Sequence, residues 1–231
     1  MQGRHTKILP WSKSRTCAGA VALVAVLLIL SGCATSGKVK PASTVPSLFG
    51  NKGPSVARLK DGRQGFIITE VPQMGAASRR DFERAVAMLE KQEYDRAIDL
   101  LEKVIGQSPG VTAPYINLAI AYQQTGKPEQ AEEHLKTALS LVPEHPVACN
   151  EYGLLYRKSG RFAEAREMYE KALARFPDYY PVHRNLGILC DLYLNDSACA
   201  LDHYESYSQG RPEDRQVKLW IADLRIRLGQ N

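Results

Sequence analysis

The chain repeats itself. Small residues stand at Ala85, Ala119, Gly153 and Gly187, and a second set at Ala97, Ala131, Ala165 and Ala200. A proline closes each unit, at Pro109, Pro143, Pro177 and Pro212. The spacing is about 34 residues, and self-similarity at a period of this size marks a stacked array, not one closed core. Within each unit, apolar residues recur at helical intervals on both sides of a short polar break, so each unit reads as two helices. Gly or Ala near the middle of the first helix and Ala early in the second let the two backbones approach closely. Larger residues three and four positions away fill the remaining space, and the proline stops the second helix and turns the chain. A hairpin built this way leaves an apolar face that only its neighbour can cover.

In residues 112–145 the set is Tyr115, Leu118, Ala119, Tyr122, Ala131, Leu135, Ala138 and Pro143. In residues 146–179 it is Cys149, Tyr152, Gly153, Tyr156, Ala165, Tyr169, Ala172 and Pro177. Residues 180–214 carry His183, Leu186, Gly187, Cys190, Ala200, Tyr204, Tyr207 and Pro212, with one extra residue between the helices. Residues 78–111 are a weaker first copy with Ala85, Met88, Ala97, Leu101, Val104 and Pro109. This pattern resembles the tetratricopeptide repeat. The resemblance implies an all-α superhelical solenoid of four antiparallel helix pairs. Residues 215–231 add a capping helix, with Val217, Trp220, Ile221, Leu224 and Leu228 on the array side and Arg215, Lys218, Arg225 and Arg227 on the other.

The N-terminus reads as an address. Arg4, Lys7, Lys13 and Arg15 precede an apolar run from Ala18 to Leu30 that is short for a membrane span. Leu30-Ser31-Gly32-Cys33 follows and resembles the lipobox of bacterial lipoproteins. The resemblance implies that residues 1–32 are a signal peptide and that Cys33 becomes the lipidated first residue. Ala34, where Asp would hold a lipoprotein at the inner membrane of a diderm cell, points to the outer membrane, facing the periplasm. Residues 33–55, rich in Gly, Pro, Ser and Lys, form a tether with a reach of roughly 25 Å. In residues 56–77, Val56–Lys60 and Gly65–Val71 flank Asp61-Gly62, which predicts either a β-hairpin or a single extended strand packed on the helices. Four of the 30 basic residues lie in the first 32 positions and no acid does, so the rest of the chain carries one more base than its 25 acids. No basic run remains for nucleic acid.

No phosphate loop, nucleophile elbow, H-E-x-x-H or C-x-x-C occurs. His134, His145, His183 and His203 show no metal-ligand spacing, so neither metal nor cofactor is expected. The family resemblance implies a peptide groove lined by the first helices. Its positions here are Ile116, Asn117, Ile120, Gln123 and Gln124, then Asn150, Glu151, Leu154, Arg157 and Lys158, then Arg184, Asn185, Ile188, Asp191 and Leu192. Ile120, Leu154 and Ile188 replace the basic residue of the family's carboxylate clamp, leaving an apolar floor beside amides. Asn can bond a partner's backbone irrespective of side chain. Cys190 stands where the pattern has Tyr, late in a first helix, and Cys199 opens the second helix of the same hairpin. The two face each other across the turn and predict a disulfide in an oxidising compartment. Taken together, these features predict a non-catalytic, lipid-anchored scaffold for a protein or peptide partner, with the membrane contacted through the lipid alone. The array resembles lipoproteins that assemble type IV or Tad pili and their secretins. An adaptor for peptidoglycan hydrolases or for a motility or energy-transduction complex is the alternative, and an envelope enzyme a further one. Oligomeric state is left open.

Overall fold

Helix, break and helix alternate along the array. The computed structural model describes residues 55–58, 66–70 and 73–230. The expected signal peptide, Cys33, most of the tether and Asp61-Gly62 lie outside these described residues. Two short strands, β1 (Ser55–Arg58) and β2 (Phe66–Thr69), precede the helices and pair antiparallel, with Val56 opposite Ile68 and Arg58 opposite Phe66. The hairpin alternative is therefore the one adopted.

Four helix pairs follow: α1 (Ala76–Glu90) and α2 (Tyr94–Gln107), α3 (Thr112–Gln124) and α4 (Pro128–Leu141), α5 (Pro146–Lys158) and α6 (Phe162–Arg175), α7 (Tyr180–Leu192) and α8 (Ser197–Gly210). A last helix, α9 (Arg215–Arg227), packs on α8. Each second helix also packs on the next first helix, and the first helices touch one another along the series α1, α3, α5, α7.

Two turns repeat throughout. Between pairs, the third residue after the turn's start closes back on it: Val111 N–H to Ser108 O, His145 N–H to Val142 O, Tyr179 N–H to Phe176 O and Asp214 N–H to Arg211 O, at 3.0–3.3 Å. Pro109, Pro143, Pro177 and Pro212 occupy the same second position of these turns, where a missing N–H costs nothing. Within pairs, Glu93, Lys127 and Arg161 N–H groups reach five residues back to Met88, Tyr122 and Tyr156 carbonyls, each at 2.9 Å. The fourth pair spans one residue more, from Asp196 N–H to Cys190 O at 2.9 Å. Gly126 and Gly160 supply the left-handed residue of this turn at φ 73° and 75°, and Gln92 and Asn195 take that place in the first and fourth pairs.

The pairs close on their small residues. A Cβ on Gly153 would stand 2.4 Å from the Tyr169 ring, and one on Gly187 2.5 Å from the Tyr204 ring. Glycine is thus what lets a tyrosine of the second helix cross the first helix. The first two pairs carry Ala85 with Leu101 and Ala119 with Leu135 at the corresponding repeat positions, all fully buried in the same core. One hydrophobic core runs through the whole array, and a second cluster gathers Tyr115, Ile116, Ala138, Val147 and Ala148 beneath Phe66 of β2.

Candidate functional site

The first helices carry the residues expected to line a groove, and they divide into two rows. The inner row is buried: Ile116, Asn117 and Asn185 are fully covered, Asn150 is 2% exposed and Ile188 9%. The expectation that these residues are free to meet a partner is corrected here. Successive first helices pack on one another, and these five side chains are covered there. Ile116 packs with Tyr115 and Val147. Asn185 Nδ2 donates to Asn150 Oδ1 at 2.9 Å, joining α7 to α5. Asn150 Nδ2 donates to Glu151 Oε1 at 3.0 Å, and Asn117 Nδ2 donates to the Ala113 carbonyl at 2.9 Å. The Nδ2 groups of all three amides are thus spent on the protein itself, whereas Asn117 Oδ1 and Asn185 Oδ1 are buried and accept no hydrogen bond among the described residues.

The outer row is more open, although both polar side-chain atoms of Gln123 are covered. Ile120, Gln123, Glu151, Leu154, Arg157, Arg184 and Asp191 are half-buried, while Gln124, Lys158 and Leu192 are exposed. Leu192 (67%) and Tyr193 (47%) are among the few large apolar side chains left open to solvent. The Arg157 guanidinium lies 5.9 Å from the Tyr193 ring centroid, and the Phe162 ring centroid lies 4.8 Å from the same ring. Arg184 stands 5.4 Å from the Trp220 ring of α9, so it also helps seat the cap. Asp191 accepts from Arg227 of α9 at 2.7 Å. What remains for a partner is an apolar strip of Ile120, Leu154 and Leu192 edged by amide and cationic groups.

The cysteines divide cleanly. Cys190 and Cys199 are joined in a disulfide, their Cα atoms 5.9 Å apart, across the turn with the extra residue. Cys149 is a buried free thiol whose pKa burial raises to about 11, which keeps it protonated and chemically quiet.

Two histidine arrangements were not foreseen. His145 is the N-cap of α5: its Nδ1 accepts from the Ala148 N–H at 3.3 Å. Burial pushes its pKa down to about 4, and a protonated Nδ1 could not serve as a cap. His183 and His203 face each other from α7 and α8 with Nδ1 atoms 3.0 Å apart, and His183 Nε2 lies 2.7 Å from the Pro177 carbonyl. A carbonyl only accepts, so His183 donates from Nε2, and a single proton lies between the two Nδ1 atoms. Burial, and then the neighbouring His183, lower His203 to about 4. The signal that could have revealed the pair is positional, since residues 183 and 203 sit opposite each other within one repeat. Among the described residues no three His, Cys, Asp or Glu side chains cluster as metal ligands, and no helix is long and apolar enough to cross a membrane.

Tetratricopeptide-repeat family models match residues 88–148 and 146–179. The type IV pilus assembly protein PilF of Pseudomonas aeruginosa is 26% identical over 206 residues, covering 88% of this chain and 71% of that protein. A probable UDP-N-acetylglucosamine–peptide N-acetylglucosaminyltransferase SPINDLY of Petunia hybrida is 30% identical over 99 residues, but the match spans only 11% of that protein's length. Among solved structures, Pseudomonas aeruginosa PilF superposes with a TM-score of 0.62 at 22% identity, over 67% of this chain and 70% of that one. The type IV pilus biogenesis factor PilW does so with a TM-score of 0.60 at 23% identity, over 68% and 72%. Residues 88–179 are thus matched as tetratricopeptide repeats, and paired helices closing on small residues, with the same turns between pairs, give the described helices the fold of a tetratricopeptide-repeat solenoid.

Proposed function

We propose that the chain is a non-catalytic scaffold for pilus assembly, anchored through lipid on Cys33 to the periplasmic face of the outer membrane. The observation that carries the pilus reading is the match to PilF, which runs along 88% of this chain and 71% of that protein and so extends well beyond a shared pair of repeats. The likeness to SPINDLY covers 11% of that protein and brings no catalytic part with it. The anchor rests on the order of basic segment, apolar run and Leu30-Ser31-Gly32-Cys33. The apolar strip of Ile120, Leu154 and Leu192, edged by Gln124, Arg157 and Lys158, is the surface offered to an assembly partner.

Deletion of the gene in its source organism tests this reading, with surface pili counted and secretin multimers measured in membrane fractions. Loss of pili, restored by the wild type and not by Cys33→Ser, is the expected result. Full piliation in the deletion strain would sink the pilus assignment. An unmodified Cys33 in the membrane-bound protein, read by mass spectrometry of its N-terminal peptide, would sink the anchor.

A further inference from the structure

The first turn of α3 is not capped by the residue that precedes it. Val111 contributes no side-chain hydrogen bond, and no acid lies in the turn. Glu70 supplies the anion from 42 residues upstream: the Thr112 N–H donates to its Oε1 at 2.6 Å, and the Thr112 hydroxyl donates to the same oxygen. A helix N-terminus favours a carboxylate in this place. Four residues earlier in the strand, the Phe66 ring lies 5.2 Å from Phe176 and 5.3 Å from Tyr179, edge-on to the latter. It also covers the cluster of Tyr115, Ile116 and Val147. At a strand rise of about 3.3 Å per residue, the two anchors stand roughly 13 Å apart. Together they reach from the second helix pair to the turn between α6 and α7.

The attachment is made by side chains. Among the described residues no backbone hydrogen bond joins β2 to a helix. Ile67 and Thr69, between the anchors, face solvent. A two-stranded hairpin is marginal by itself, so β2 holds its place through Phe66 and Glu70. Burial raises the Glu70 pKa, and the Thr112 hydrogen bonds oppose that rise, so the position is built around a carboxyl group.

We propose that this face of the array, from the N-terminus of α3 to the α6–α7 turn, binds an extended peptide presenting an aromatic residue and, four positions later, a carboxylate. The chain's own Phe66–Glu70 segment fills the site as a tethered ligand until such a peptide displaces it. This rests on reading the array as a protein-binding scaffold and names the chemistry it binds.

The test needs no partner protein. A fluorescein-labelled peptide with the sequence of residues 63–73 is titrated by fluorescence anisotropy against the full chain and against its Phe66→Ala/Glu70→Gln variant. The variant should bind the peptide at least about tenfold more tightly than the wild type, because its site is vacated. A peptide with Ala in place of the phenylalanine should bind the variant at least about tenfold more weakly than the parent peptide. No binding to the variant, equal binding to both proteins, or indifference to the phenylalanine would overturn the proposal. Should the double variant lose helicity, Glu70→Gln alone reads the same competition, since Glu70 lies outside every helix, and equal binding by it and the wild type counts against the site. Failure here leaves the scaffold reading standing, because that reading is decided by piliation.

Discussion

Replacing Gly153 by alanine adds one methyl group to the most closely approached point of the third repeat. Its Cβ would stand 2.4 Å from Tyr169 Cε1, 2.7 Å from Cδ1 and 2.8 Å from Cζ. Tyr169 is fully buried, so its ring cannot swing into solvent to make room. Alanine in a helix interior gains about 1 kcal/mol over glycine. Overpacking a close-fitted core costs roughly 1–3 kcal/mol. The overlap here involves three ring atoms, so the upper part of that range applies, and the net loss is about 1–2 kcal/mol. For a domain of this size that lowers Tm by roughly 2–8 °C. Tyr169→Leu alone should cost about 2–4 kcal/mol, because it empties space under a glycine. The double variant Gly153→Ala/Tyr169→Leu recreates the combination that Ala119 and Leu135 form at the corresponding positions one repeat earlier. It should therefore fall short of the summed losses by at least about 1 kcal/mol. Urea and thermal unfolding followed by far-ultraviolet circular dichroism measures all four corners of the cycle. A Gly153→Ala protein as stable as the wild type, or strictly additive losses, would refute the claim that glycine is present to admit the tyrosine.

Three further outcomes are expected. Cys190→Ser/Cys199→Ser should lower stability by about 2–3 kcal/mol in the chain-entropy account, and unfolding with and without reductant should differ by the same amount in the wild type alone; insensitivity to reductant would show that packing holds this hairpin. Asn150→Ala should destabilise by about 1–3 kcal/mol, since it strands the Asn185 amide in the interior, and an unchanged melting curve would return Asn150 to the accessible surface. His145, held near pKa 4 by burial against an ordinary 6.5, stays neutral in the fold where the unfolded chain takes up a proton. Its stabilising share is therefore complete above about pH 6.5, is lost as pH falls, and is exhausted near pH 4, a loss of about 2 kcal/mol at pH 5. His145→Asn keeps a cap without the titration, so its unfolding free energy should vary less with pH, and a slope as steep as the wild type's would dismiss the histidine as the cause.

Fold class was legible in the sequence because the rules that build each hairpin are local. A small residue at Ala119 or Gly153, an alanine twelve positions on and a proline after the second helix each act within a single repeat. Their recurrence alone implies a stack. The extra residue of the fourth repeat could also be read there, as could the facing places of Cys190 and Cys199, because both belong to one turn. The groove was legible only in part. Position in the repeat places Asn117, Asn150 and Asn185 on first helices, but whether they meet solvent depends on how closely neighbouring first helices approach. The structure brings those helices into contact and covers the amides. Repeat position sets His183 opposite His203, but their 3.0 Å approach also needed the rotation of both helices about their axes. The contacts of Phe66 with Tyr179 and of Glu70 with Thr112 lie furthest from any local rule. They join a short strand to turns and helix ends in later repeats. Where those ends stand is set by small rotations accumulated from repeat to repeat, a sum that a single repeat's sequence does not contain.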